Sequence, residues 1–293
     1  MRKLILLLAG ITLILGYAWA QDLEYFQIYK PKSGMTADEI MQIEYFVKYT
    51  KFARDAQFMG KAYFVDKSGT TREKETLRQR ITLGRKSDDI AYKDLVIFTS
   101  AQAKGLGTLT WTYMNPKRQQ DTWLWLPSLK KIRKISAANN ADSFLGSDFT
   151  NEDILTRRFE DETYKLVKED NFKGYTCEFD KKVYFKDAPC FVIECTPKKS
   201  PWYYSKRILR VEKNTGGGIY EEMYDPTGRM FKTIFKDYEI INVNGKEYPV
   251  QVILEVKDTR TGHRTVIVNS DIKMDRGLSE ELFTERALMQ SRW

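Results

Sequence analysis

Over residues 57–126 and again over 175–274 the chain alternates apolar and polar residues with a period of two, and short Gly-, Asn-, Asp- and Pro-containing turns interrupt the alternation. No other feature limits its fold so strongly. Period-two segments at 57–65, 71–85, 90–99, 107–113 and 121–126 read as strands, and so do 175–185, 191–196, 206–212, 219–224, 230–241, 247–258 and 264–274. Their connections carry turn chemistry: Asp66-Lys67-Ser68-Gly69, Gly216-Gly217-Gly218, Asp225-Pro226-Thr227-Gly228, Asn244-Gly245 and Thr261-Gly262. Such short links join antiparallel neighbours, because a parallel crossover needs a dozen or more residues. About a dozen long strands in one sheet accumulate enough twist to curl it and leave a concave face. Against this background one helix stands out. Thr36-Ala37-Asp38-Glu39 is a capping box, followed by Ile40, Ile43 and Val47 at helical spacing. A last short helix is expected after Ser279, docked by Leu282, Phe283 and Leu288. The expected fold is mainly β: a large curled antiparallel sheet, an unclosed half-barrel, with one or two helices and a long loop over the concave face.

Residues 1–20 read as a cleaved signal peptide. Arg2 and Lys3 precede an apolar run at 4–15, and Ala18-Trp19-Ala20 is a small-residue cleavage site before Gln21. The run is shorter than the roughly 20 apolar residues of a membrane anchor. Residues 21–293 are then expected to be a single exported β domain, working as a monomer. Loss of Arg2 and Lys3 lowers the formal charge of +8 by two, and the remaining basic character, with charges of both signs interspersed, reads first as solvated lysine on exposed strand faces, with transient contact with an anionic membrane surface or an acidic partner as the alternatives. Export argues against nucleic acid as a partner. The single histidine, His263, removes zinc sites and facial triads that need two imidazoles, and it lies far from any cysteine nucleophile it would have to serve. No cofactor or metal site is expected, and no phosphate loop, nucleophile elbow or zinc-protease motif occurs. Three cysteines in an oxidising compartment permit one disulfide. A hairpin over 175–198 makes Cys177 and Cys195 the candidate pair, with the pairing itself left open by sequence.

The segment between the Trp-rich strand and Tyr164 is too long and varied for a hairpin turn, and loops of this length are commonly functional. It carries a basic cluster, Lys130, Lys131, Arg133 and Lys134, suited to phosphate or lipid headgroups, or alternatively a solvated edge strand in which Ile132 and Ile135 alternate with charges. Asp142, Asp148 and Asp153 lack the ligand rhythm of a calcium loop and suit loop and N-cap positions better. Trp123, Trp125, Phe144 and Phe149 are candidates for lining a hollow, with core packing as the alternative.

The run from Trp125 through Pro127, Lys130, Lys131, Arg133 and Lys134 to Ser136, followed by Asp142-Ser143-Phe144-Leu145-Gly146-Ser147-Asp148-Phe149 and on to Asp153, resembles the signature of the outer-membrane lipoprotein-sorting-protein-like family. That family includes LolA-, LolB- and RseB-like periplasmic proteins. Looser likeness continues through 224–232, 258–262 and 282–284. The resemblance implies a periplasmic, LolA-like unclosed barrel with a hydrophobic hollow and a non-enzymatic role, carrying a lipid or a lipidated protein between inner and outer membranes. It also implies work with an inner-membrane exporter of the resistance-nodulation-division (RND) type, or, in the alternative, a sensor or accessory module of such a transporter. The ligand- and partner-binding residues it suggests are Trp123, Trp125, Lys130, Lys131, Arg133, Lys134, Ser136, Asp142, Phe144, Asp148, Phe149 and Asp153. The chain is longer than the lipoprotein carrier, which leaves the cargo open.

Overall fold

The computed structural model describes residues 30–84, 89–135, 141–154, 157–243 and 245–290. The expected signal peptide and Ser136 lie outside these residues. Helix α1 (Ala37–Lys48) begins where the capping box places it: the Thr36 hydroxyl accepts the Glu39 amide, and the Glu39 carboxylate accepts the Thr36 amide at 2.8 Å. The strands that follow are β1 (Asp55–Val65), β2 (Thr71–Thr82), β3 (Ile90–Phe98), β4 (Gly107–Tyr113), β5 (Asp121–Leu126) and β6 (Lys131–Ile135). After a one-turn helix α2 (Asn151–Ile154) come β7 (Glu162–Phe172), β8 (Tyr175–Thr176), β9 (Val183–Tyr184), β10 (Ala188–Pro197) and β11 (Lys206–Glu212). The chain closes with β12 (Gly218–Tyr224), β13 (Met230–Val243), β14 (Lys246–Asp258), β15 (Arg264–Met274) and helix α3 (Glu285–Gln290).

Thirteen strands form one antiparallel sheet in the order β6-β5-β4-β3-β2-β1-β15-β14-β13-β12-β11-β10-β7. Two meanders therefore meet where β1 pairs with β15, through registers such as Ala62 opposite Ile267. The sheet ends on β6 at one side and β7 at the other, so it is unclosed. Strand alternation gives it two faces, and both are covered. The inner face holds α1, whose Ile40, Met41, Tyr45, Phe46 and Val47 are buried against Phe191, Ile193, Leu209 and Val211 on one side and Phe58, Tyr238 and Tyr248 on the other. The hollow is thus filled by this helix and by residues 141–154, whose Phe144 and Phe149 pack on Met223, Ile234 and Val256.

The outer face carries two covers. The C-terminal segment sets Phe283 and Leu288 on Leu95, Ile97, Leu109, Trp123 and Trp125. It is fixed by Lys93 to Glu280 at 2.6 Å and by the Trp111 indole N–H donating to the Phe283 carbonyl at 3.0 Å. The β8–β9 hairpin covers β13–β15, where the buried Glu255 carboxylate accepts from the Tyr175 hydroxyl, the Cys177 thiol and the Glu178 amide.

Several expectations change. β7 forms where the residues predict no strand, because its Thr163, Lys165, Lys168 and Asp170 make an edge strand look like a polar loop. The segment expected as one strand at 175–185 is the short β8–β9 hairpin instead. The disulfide between Cys177 and Cys195 is not formed: all three cysteines are buried free thiols. The hairpin that holds Cys177 closes on itself, with Thr176 opposite Val183, while Cys195 sits in β10 between Tyr164 of β7 and Arg207 of β11.

One buried carboxylate ties the first strand to the segment that follows the last. Asp55, at the start of β1, accepts the amides of Arg276, Gly277 and Leu278 at 2.9, 2.8 and 3.2 Å. Asp55→Ala leaves three donors without that acceptor, and a loss of about 2 kcal/mol in urea unfolding is expected. Limited proteolysis should then cut the C-terminal segment first. Unchanged stability and an uncut terminus would contradict this anchoring.

Candidate functional site

Alternation along the inner face places charges among apolar neighbours. In β11 Arg207 shares a face with Leu209 and Val211, in β12 Glu221 with Ile219 and Met223, and in β13 Lys232 and Lys236 with Ile234. These charges meet under α1. The Arg207 side chain is 1% exposed and forks onto Glu162, with Nε and Nη2 donating to the two carboxylate oxygens at 2.7 and 2.6 Å. Its Nη1 reaches Glu221 at 3.0 Å, and the Tyr204 hydroxyl donates to Glu162 at 2.9 Å. Lys232 donates to Asp153 at 2.7 Å, and the Tyr203 hydroxyl to Glu152 at 2.6 Å. Arg157 lies between Glu152, Asp153 and Glu221 at 3.6, 3.6 and 3.8 Å. Lys236 faces Glu44 of α1 at 4.0 Å.

Burial opposes ionisation of Glu221, but the Arg207 and Arg157 guanidinium groups outweigh it and hold the carboxyl well below its usual range. Glu162 is lowered in the same way, against burial, chiefly by Arg207, and Asp153 chiefly by Lys232. Lys236 goes the other way: burial, reinforced by Lys48, brings its ammonium down to about 8. A cavity of about 40 Å³ lies here, lined by Lys48, Tyr49, Phe149, Asp153, Arg157, Glu221 and Lys236 among others.

A second, larger cavity of about 420 Å³ sits where the sheet fails to close. Thr122 and Ile135 from the β5–β6 edge face Asp161, Pro197, Lys198 and Trp202 from the β7–β10 edge, with Arg157 and Tyr204 also in its wall. Arg158 straps this region, its guanidinium donating to the carbonyls of Asn115, Pro116 and Arg118.

The residues singled out from sequence fall into three groups. Trp123 and Trp125 lie on the outer face under Phe283 and Leu288, so they line no inner hollow; Thr110 and Thr122 occupy the corresponding inner positions and bond each other at 3.2 Å. Lys131, Arg133 and Lys134 form the exposed edge strand β6, preceded by the left-handed Lys130 (φ 49°), and Lys134 pairs with Asp121. Phe144, Asp148, Phe149 and Asp153 are brought together on the inner face, where Asp148 accepts from the Thr265 hydroxyl at 2.8 Å. Asp142 is exposed at the start of that segment. Sequence reasoning missed Arg157, Glu162, Arg207, Glu221 and Lys236. Charges that share a strand face with Ile, Leu and Val were the available signal. Among the described residues no cluster of three or more His, Cys, Asp and Glu can hold a metal ion, and no helix is long and apolar enough to cross a membrane. His263 is exposed in the β14–β15 turn.

A lysine whose folded pKa lies near 8, against the ordinary value of 10.5, binds fewer protons folded than unfolded between those values. Stability therefore rises with pH across that window, and the cost of the buried charge is fully present below it. Relative to Lys236→Met, the wild type should gain up to about 3 kcal/mol in urea unfolding between pH 8 and 10.5. A difference independent of pH would contradict the burial of a charged amine.

A model of an uncharacterized-protein family matches residues 91–290. No curated protein matches the chain. Solved structures that share its fold include three from different bacteria. A DUF1329 family protein from Desulfovibrio piger is 24% identical with a TM-score of 0.72, over 86% of this chain and 99% of that one. A putative outer membrane lipoprotein-sorting protein domain from Vibrio parahaemolyticus is 21% identical with a TM-score of 0.70, over 86% and 98%. A LolA superfamily protein from Nitrosomonas europaea is 19% identical with a TM-score of 0.59, over 87% and 100%.

Proposed function

This chain belongs to the family of uncharacterized proteins whose model matches residues 91–290, and from that premise and its LolA-like fold we propose that it is a non-enzymatic periplasmic carrier. Its cargo is a lipid or the acyl chains of a lipidated protein, held against the inner face for transfer between the inner and outer membranes. The observation that carries this reading is how the inner face is covered. Among the described residues no second sheet packs there; residues 141–154 cover one part, and the twelve-residue helix α1 seals an apolar surface that includes Phe191, Ile193, Leu209 and Val211. A flexible acyl chain offers the same kind of contact as Ile40, Met41 and Phe46, and each methylene it buries contributes roughly 0.8 kcal/mol. Exchange of α1 for cargo needs no covalent chemistry. The buried charges beside the helix suit an amphiphile better than a purely apolar ligand, because a polar group entering that region finds partners.

On this reading the mature protein starts at Gln21 and works as a monomer that touches membranes transiently. An inner-membrane exporter of the RND type is its proposed partner. The exposed basic edge at Lys131 and Arg133 is the surface for that encounter, since edge strands with unpaired backbone groups accept an added strand.

Residues 21–293, purified from the periplasm without detergent, should carry acyl lipid extractable by organic solvent and identifiable by mass spectrometry. A fluorescent fatty-acyl probe should bind the emptied protein and be displaced by that lipid. Absence of co-purified lipid together with absence of probe binding would overturn the carrier reading.

A further inference from the structure

We propose that the cavity at the open seam between β6 and β7 is a binding site for a phosphate-bearing headgroup, with Arg157 as its buried anchor and Lys198 and Lys199 at its mouth. This deepens the carrier reading and rests on it for the acyl chains that would follow the headgroup inward.

Arg157 is the first ground. Its side chain is 1% exposed, yet Nε and Nη2 have no hydrogen-bond partner. The carboxylates around it stand at 3.6 to 3.8 Å, and each is held more closely by another donor: Glu152 by Tyr203, Asp153 by Lys232, Glu221 by Arg207. The guanidinium therefore keeps donors that no hydrogen bond uses, and it lies in the wall of the cavity. Arg158 cannot take that part, because backbone carbonyls already occupy it. A planar guanidinium fork matches two oxygens of a phosphate.

The mouth is the second ground. Lys117, Lys198 and Lys199 are exposed on its rim, so with Arg157 and Arg158 five cations face three carboxylates, Glu152, Glu160 and Asp161. Lys199 lies 4.1 Å over the Trp202 ring, which presents a flat apolar surface beside the charges. The volume of about 420 Å³ falls within the roughly 300–1,000 Å³ of small-molecule sites and exceeds what a bare anion needs. Thr122 and Tyr204, which also line it, are inner-face residues, so a ligand seated at the seam points its remainder toward the surface sealed by α1.

The test is calorimetric titration of delipidated residues 21–293 with three probes: dihexanoylphosphatidylglycerol, dihexanoylglycerol and inorganic phosphate. The phospholipid should bind about tenfold more tightly than the uncharged diacylglycerol, a preference typical of one charge-assisted contact set. Lys198→Ala/Lys199→Ala, which alters only exposed side chains, should remove most of that preference and leave diacylglycerol binding unchanged. Arg157→Met should abolish it, and if that variant fails to fold the lysine pair still decides. Inorganic phosphate binding that disappears in the lysine variant supports the same pocket with free phosphate as its source. Equal binding of both lipids, or a preference untouched by the lysine variant, overturns the headgroup site while leaving the carrier reading standing. Binding of phosphate without either lipid does the reverse, and binding of none overturns both.

Discussion

The Arg207 guanidinium, clamped between Glu162 and Glu221 beneath α1, is the interaction on which the inside of this molecule depends. A charge so deeply buried persists only when paired and hydrogen-bonded, and removing one partner of such a set is far more costly than never having built it. The pairing fixes what surrounds it. Glu162 starts β7, so the ion pair ties the edge strand of the sheet to β11; Glu221 brings β12 into the same set. Asp153 extends it into α2 and Arg157 into the segment that follows, and Glu44 extends it to α1 through Lys236. Helix and crossing segment are therefore held over the inner face by opposite charges as well as by apolar packing.

The unclosed sheet explains the rest of the architecture. With β6 and β7 as free ends, an inner face that a closed barrel would fill with its own side chains needs separate elements to cover it. Those elements are α1 and residues 141–154. On the outer face the C-terminal segment and the β8–β9 hairpin do the same for the aromatic rows around Trp123 and Phe235. The larger cavity lies at the seam between the two sheet edges.

Much of this was legible in the residues. Period-two alternation located β4 and β5 at their observed bounds, and the Thr36 to Glu39 capping box located α1, because both signals are local. What alternation does not tell is which face of a strand turns inward when both faces are covered. Trp123 and Trp125 share a face, as their spacing requires, but it is the outer one, and threonines hold the inner positions. The basic run at 130–134 fits a headgroup site and an edge strand alike, and the structure places 131–135 as an edge strand. The ion set stayed hidden for a different reason: its members come from α1, the 151–157 region, β7, β11, β12 and β13, and only the folded sheet brings them together.

Filling of the inner face by α1 gives the carrier reading its sharpest physical consequence, since cargo and helix compete for one surface. Amide hydrogen exchange over residues 40–47, compared between the delipidated protein and the protein saturated with a fatty-acyl probe, measures that competition directly. Displacement of α1 by cargo predicts strong protection of these amides in the empty protein and its loss on loading. Protection that stays high in the loaded protein would contradict exchange of helix for cargo on the inner face.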